Sequence, residues 1–291
     1  MVASSPPSHL RYCSIRGHAV RKIVVLFIVM FGLAAARFIG AQIAPPNEAG
    51  AALAHVNLLA HDVEAARRFW VEMGGIPSKH VTLQWARFPG VLIFVRQADP
   101  TSGAVGSVID HIAFDVADIQ RSMGQWKAKG LKVDFSVNAH QGWVTTPDGL
   151  VRIEIIEKKS LRVPIAFDYL YFRIADKSVG GKSTISEMQA WYAKLFGGKI
   201  GTHGDVASVS FPGGDILFAK SDMPTAPTEG RAIDHYGFEI RNLEGFYSKA
   251  EASGVKFDRP FTTRPEMGES LTVLTDPSGA RIELNDGVAQ W

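Results

Sequence analysis

The feature that most constrains this chain is internal repetition. Ile109-Asp110-His111-Ile112-Ala113-Phe114-Asp115-Val116 returns as Ile233-Asp234-His235-Tyr236-Gly237-Phe238-Glu239-Ile240. His111 to Gly130 and His235 to Gly254 are both 19 residues. Each segment then reaches a turn, Thr146-Pro147-Asp148-Gly149 in one and Asp276-Pro277-Ser278-Gly279 in the other. Each ends in a strand, Arg152-Ile153-Glu154 and Arg281-Ile282-Glu283. Repetition at this scale means one supersecondary unit used several times, whose copies bury their apolar faces against one another.

Two further copies match more weakly. His55 to Asp62 and Tyr169 to Asp176 are both 7 residues. Phe69-Trp70 before Gly74-Gly75 parallels Trp191-Tyr192 before Gly197-Gly198, with an insertion around 177–184 in the later copy. Each unit reads as strand, helix and three strands. Its first strand alternates with period two. In its helix Val63, Ala66, Phe69, Trp70 and Met73 recur at helical spacing behind the capping residue Asp62, and Gly74-Gly75 ends the run. The Pro-x-Gly turns introduce the last strand.

The 291 residues, 46% apolar and 21% charged, are enough for a sizeable core and exclude disorder and coiled coil. Residues 1–41 carry Arg11, Arg16, Arg21, Lys22 and Arg37 and no acid. They outweigh the total formal charge of +2, so the remainder is mildly acidic. No basic cluster suits a nucleic acid. The uncharged run from Ile23 to Ala36, flanked by basic and then small residues and shorter than the roughly 20 residues of a spanning helix, reads as a signal peptide, with an uncleaved anchor lengthened by Phe38 and Ile39 as the alternative. We therefore expect a leader over 1–41, a linker over 42–50, one pair of units over 51–157, a linker over 158–165 and a second pair over 166–287. Secretion or periplasmic export follows, without stable membrane association once the leader is cleaved. Cys13 is the only cysteine, so any metal beyond the leader must be held by histidine and carboxylate.

The paired units, with their Ile-Asp-His-x-x-Phe strands and Pro-x-Gly…Ile-Glu endings, resemble the vicinal oxygen chelate superfamily. That superfamily includes glyoxalase I, extradiol ring-cleaving dioxygenases, and fosfomycin and bleomycin resistance proteins. The resemblance implies an α+β fold of four βαβββ modules in two tandem domains, each curled around a metal position. It also implies that the first-strand residue of each unit and the last-strand Glu are ligands: His55, His111 and Glu154 in the first pair. Strand alternation agrees. His55, His111 and Glu154 lie on faces opposite Val56, Leu58, Ile112, Phe114, Ile153 and Ile155. Two imidazoles and a carboxylate form a facial triad with open positions, suited to Fe(II) or Mn(II) first and to Zn or Ni second. Glyoxalase I uses a fourth ligand where this chain has Phe94. Extradiol dioxygenases usually have Tyr where this chain has Trp143, and usually keep the metal in their second domain.

In the second pair Tyr169 replaces the first His. An internal network, with Glu283 paired to Arg173 or His235, is expected there rather than a second metal. His140 and His80 are the candidate general acid or base. His61 is expected at a strand end and His203 in an exposed turn. Trp85, Phe88, Phe94 and Trp143 are expected in the core or around a cavity. The resemblance implies an enzyme acting on a small molecule with adjacent oxygens, dioxygenase-like first and lyase- or isomerase-like second. The alternative is a non-catalytic binder of the bleomycin-resistance kind. Exposed sheet edges leave room for a homodimer.

Overall fold

The computed structural model describes Met1, residues 43–175 and residues 184–291. The leader and most of the insertion around 177–184 lie outside the described residues. Four modules follow one another. The first is β1 (Ala51–Ala60), α1 (Val63–Glu72), β2 (Ile76–His80), β3 (Leu83–Phe88) and β4 (Val91–Gln97). The second is β5 (Ile109–Val116), α2 (Ile119–Ala128), β6 (Lys132–Phe135), β7 (Gln141–Thr145) and β8 (Arg152–Glu157). The third is β9 (Ile165–Ala175), α3 (Thr184–Phe196), β10 (Lys199–His203), β11 (Val206–Phe211) and β12 (Gly214–Ser221). The fourth is β13 (Ile233–Ile240), α4 (Leu243–Ala252), β14 (Arg259–Arg264), β15 (Glu269–Thr275) and β16 (Arg281–Asp286).

Local chemistry sets these boundaries. Asp62 caps α1 by accepting from the Ala65 amide at 2.9 Å, and Asp118 caps α2 from the Arg121 amide at the same distance. Such caps stabilise a helix by about 1 kcal/mol. Gly74, after α1, takes φ +116°, a conformation in which a side chain would strain the backbone. The linker before β1 is docked: the Asn47 amide donates to the Phe196 carbonyl at 2.9 Å, and its side-chain oxygen accepts from the Ala51 amide.

The strands do not pair as sequence order suggests. One sheet runs β14-β15-β16-β13-β1-β4-β3-β2, the other β10-β11-β12-β9-β5-β8-β7-β6. Module one therefore shares a sheet with module four, and module two with module three. The domains expected over 51–157 and 166–287 do not form as separate sheets. The reason lies in the edges. Every first strand pairs in parallel with its own module's last strand, leaving one edge open. The open edge of β5 is taken by antiparallel β9, which follows after the short connection 158–164. The strands β1 and β13 are left to each other and pair antiparallel.

Modules one and two, and modules three and four, meet through side chains instead. Trp70 and Phe88 of module one pack on Phe114 of module two, with centroids 6.1 and 4.8 Å apart. Phe172 of module three packs on Tyr236 of module four at 5.9 Å. One apolar core thus joins both sheets. Burying each such ring contributes roughly 1.5–3 kcal/mol. The opposite face of each sheet is free to line a cavity. Among the described residues no helix is long and apolar enough to cross a membrane.

Candidate metal centre

The register of β1 on β13 decides which residues converge. His55 lies opposite Gly237, two residues from His235, and Gly237 lies beside Glu283 of β16. All three side chains project from the face opposite the core. His55 Nε2 stands 3.8 Å from Glu283 Oε1, and His235 Nε2 stands 3.9 Å from Glu283 Oε2. One ligand atom from each residue lies within 4.8 Å of the others. The imidazoles meet edge to face, centroids 5.9 Å apart. Above them opens a cavity of about 700 Å³. Leu83, Phe94, Val288 and Trp291 form its apolar wall, with Trp85 and Leu92 packed among them, and Asn57, Arg259 and Arg264 lie among its polar lining.

The protonation states suit a cation. His55 is 1% exposed, and burial pushes its imidazole down to about 4 against the pull of Glu283. A neutral imidazole is the ligating form. Burial opposes charge on Glu283. His235, His55, the Asn285 amide and Arg264 outweigh it and hold the carboxyl below the usual carboxylate range. His235 Nδ1 bonds to Asp234 Oδ1. A carboxylate behind the ring fixes its orientation and presents Nε2 to the cluster. His55 hydrogen-bonds to nothing among the described residues, and its Nδ1 is buried without a partner. With Nδ1 enclosed, Nε2 is the nitrogen that faces Glu283 and is open to a ligand. The donor set, two imidazoles and one carboxylate, fits a divalent transition metal.

Chains of known structure share this architecture. Glyoxalase I from Zea mays aligns at a TM-score of 0.62 with 14% identity, over 82% of this chain and 94% of that one. A Bacillus subtilis protein classed provisionally as a dioxygenase aligns at 0.61 with 12% identity, over 86% and 88%. Residues 183–284 match the profile of the Glyoxalase/Bleomycin resistance protein/Dioxygenase superfamily. The chain has the vicinal oxygen chelate fold. No curated protein matches its sequence.

Within this vicinal oxygen chelate fold, the triad expected from the first pair of modules is divided. His55 joins His235 and Glu283. His111 and Glu154 lie in the other sheet, where β9 brings Tyr169 rather than a histidine. There the Tyr169 hydroxyl donates to Glu154 Oε2 at 2.7 Å, and His111 Nε2 donates to the same oxygen at 3.1 Å. His111 Nδ1 donates to Asp110 at 2.7 Å. Burial opposes charge on His111, but its two carboxylate partners outweigh this and raise its pKa. The three groups are closed on one another, whereas those of the first cluster stand apart. Of the two partners expected for Glu283, His235 stands beside it and Arg173 lies at the other cavity, while the closed hydrogen-bonded network forms around Glu154.

The expected acid–base histidines fall outside the centre. His140 is exposed before β7, with Nδ1 on Glu157 at 2.7 Å. His80 Nε2 donates to the Met267 carbonyl at 2.8 Å, and its ring stacks on Trp291 at 4.8 Å. It fastens β2 to the turn after β14, so the two wings of the sheet meet over the cavity. His61 is exposed against Asp99, and His203 lies near Asp168 and Asp215. Phe94 lines the first cavity with Trp85 packed against it, Trp143 lines the second, and Phe88 lies in the core. Arg264, Glu269 and Asn285 carried no sequence signal of their own. They follow from strand alternation only once β15 and β16 are known to border β13 and β1.

One buried acid gives a pH signature. Asp168 sits at a bulge of β9 opposite β5, and burial, with Asp115 nearby, pushes its pKa up to about 6. The native state therefore holds a proton that the unfolded chain releases near pH 4. This costs stability above pH 6 and is relieved as pH falls toward 4. Asp168→Asn should stabilise the protein at pH 7.5 by about 2 kcal/mol. Denaturation at pH 4.5 should show the difference gone. An equal gain at both pH values would mean that ionisation of Asp168 is not the cause.

Proposed function

We propose that this protein is a metal-dependent enzyme of the vicinal oxygen chelate type. Its metal is held by His55, His235 and Glu283, and it acts on a small molecule with two adjacent oxygens. The observation that carries this is the convergence of those three side chains, from modules one and four, at the floor of a cavity of small-molecule size. A divalent ion there would stabilise negative charge developing on the substrate oxygens.

The protein's own groups do the rest. Glu283 supplies negative charge, and burial keeps the His55 imidazole neutral. Asp234 keeps His235 aimed. Phe94, edge-on to His55 at 5.4 Å, fills the place of a fourth ligand and offers a flat apolar surface. The wall of Leu83, Phe94 and Trp291 excludes water and accepts a ring. Arg259 supplies positive charge on the facing side, where Arg264 is paired with Glu269. Three ligands and an aromatic wall favour ring-cleaving dioxygenase chemistry with Fe(II) or Mn(II) over lyase or isomerase chemistry with Zn or Ni. The basic, apolar leader supports secretion or a periplasmic location.

Metal analysis of the purified protein tests the centre. About one transition metal per chain is expected, lost in His235→Ala and retained in His111→Ala. Retention by His235→Ala, or loss confined to His111→Ala, would place the metal elsewhere. With iron or manganese bound, oxygen uptake against a panel of catechols then tests the reaction class.

A further inference from the structure

The second sheet encloses a cavity of about 650 Å³ that the proposed chemistry does not use. Its floor is the closed His111–Glu154–Tyr169 group, which leaves no gap for an ion. Its remaining groups are of a different kind. On β9, Tyr169, Tyr171 and Arg173 alternate toward the cavity. The Tyr171 ring stacks on His111 at 4.4 Å and 17°, and Trp143 meets His111 edge-on at 4.9 Å. Arg152 lies over the Trp143 ring, its guanidinium carbon 4.6 Å from the centroid, and 3.6 Å from Asp110.

Arg173 is half-buried at this cavity, and among the described residues its side chain makes no hydrogen bond or ion pair. The acid that shares its wall, Asp110, is bonded by His111 and paired with Arg152, and Arg173 acts on it only from beyond ion-pair distance. A guanidinium fork kept half out of water without a carboxylate is a recognition element lacking its ligand. Arg173 gives the ligand's charge: its guanidinium faces the cavity with no carboxylate of the described residues within ion-pair distance, so one carboxylate completes it. Trp143 and Tyr171 give the ligand's shape, since aromatic walls take a planar group.

We infer that the second cavity is a metal-independent binding site for a small planar monocarboxylate. Arg173 grips the carboxylate, and Trp143 and Tyr171 flank the ring. The Tyr169 hydroxyl, filling the first-strand position, keeps Glu154 turned inward and the floor closed to cations. This site stands whether or not the first cavity holds a metal.

Calorimetric titration of the whole protein with 4-hydroxybenzoate, in excess EDTA, tests it. Saturable binding of one equivalent is expected, equal in His235→Ala, with 4-hydroxybenzamide at least about tenfold weaker. Arg173→Gln should weaken binding at least about tenfold, with Arg173→Lys between it and the native protein, because an ammonium keeps the charge but not the fork. Far-UV circular dichroism and urea unfolding unchanged from the native protein show that both Arg173 variants fold. The inference is overturned if no saturable binding occurs, if binding is lost in His235→Ala, or if folded Arg173→Gln binds as the native protein does.

Discussion

Gly237→Ala should release the metal from the proposed centre while leaving the sheets intact. Gly237 faces His55 across the antiparallel β1–β13 pair. A Cβ at this position would lie 2.0 Å from His55 Cε1, 2.5 Å from Nε2 and 2.6 Å from Nδ1. The imidazole cannot swing aside cheaply. It is 1% exposed and hemmed by Phe94 and His235. Either β1 separates from β13 or the ring leaves the cluster. The second costs less, because the sheet pairing is shared by many backbone bonds. Overpacking of this kind destabilises by about 1–3 kcal/mol. Loss of one of three ligands should lower metal affinity by at least about 100-fold. Competition with a chromophoric chelator would measure the affinity, and urea unfolding of the metal-free form the stability. The double variant His55→Ala/Gly237→Ala should recover stability but not metal. Native affinity in Gly237→Ala would show that His55 is not a ligand.

The same glycine shows what could be read from the sequence and what could not. Period-two alternation correctly put His55, His111 and Glu154 opposite the apolar faces, because the direction of a side chain on a strand depends only on its neighbours. Asp62 and Gly74 at the ends of α1 were legible for the same reason. Pairing between modules is not local. Each of the four modules leaves its first strand with one open edge, and nothing in the repeat itself says which edge meets which. Adjacency in sequence suggested modules one and two, which dispersed the triad over two sheets. Two signals pointed the other way. The connection 158–164 is shorter than the linkers 98–108 and 222–232, so β9 is better placed to reach β5. And the repeats differ at one small residue, Gly237 against Ala113. Only the glycine leaves room for an imidazole on the facing strand, and β1 is the strand with the histidine to match. His140 and His80 were named for their chemistry alone. One is tethered by Glu157 at the surface and the other spent on a backbone carbonyl, and only tertiary structure decides such matters.

That difference predicts how to build a second metal centre. Tyr169→His alone should fail to bind metal in the second sheet, whereas Ala113→Gly/Tyr169→His should bind one ion there. The remaining parts are present. His111 carries an orienting carboxylate, Asp110, as His235 carries Asp234. Glu154 occupies the place of Glu283, beside Ala113 as Glu283 is beside Gly237. Tyr169 occupies the place of His55, facing Ala113. Removing the phenol frees Glu154 Oε2 from one of its two donors. An imidazole in its place must still pass over residue 113, where the first sheet tolerates no Cβ. In a His235→Ala background, which silences the first centre, metal analysis should read about zero ions per chain for the single change and about one for the pair. The second ion should also make the site's affinity for a planar carboxylate sensitive to EDTA, since an ion at the floor is a further partner for the carboxylate. Metal bound by Tyr169→His alone would mean that the Cβ of Ala113 is no obstacle. No metal in the folded double variant would mean that the two sheets differ in more than these two residues.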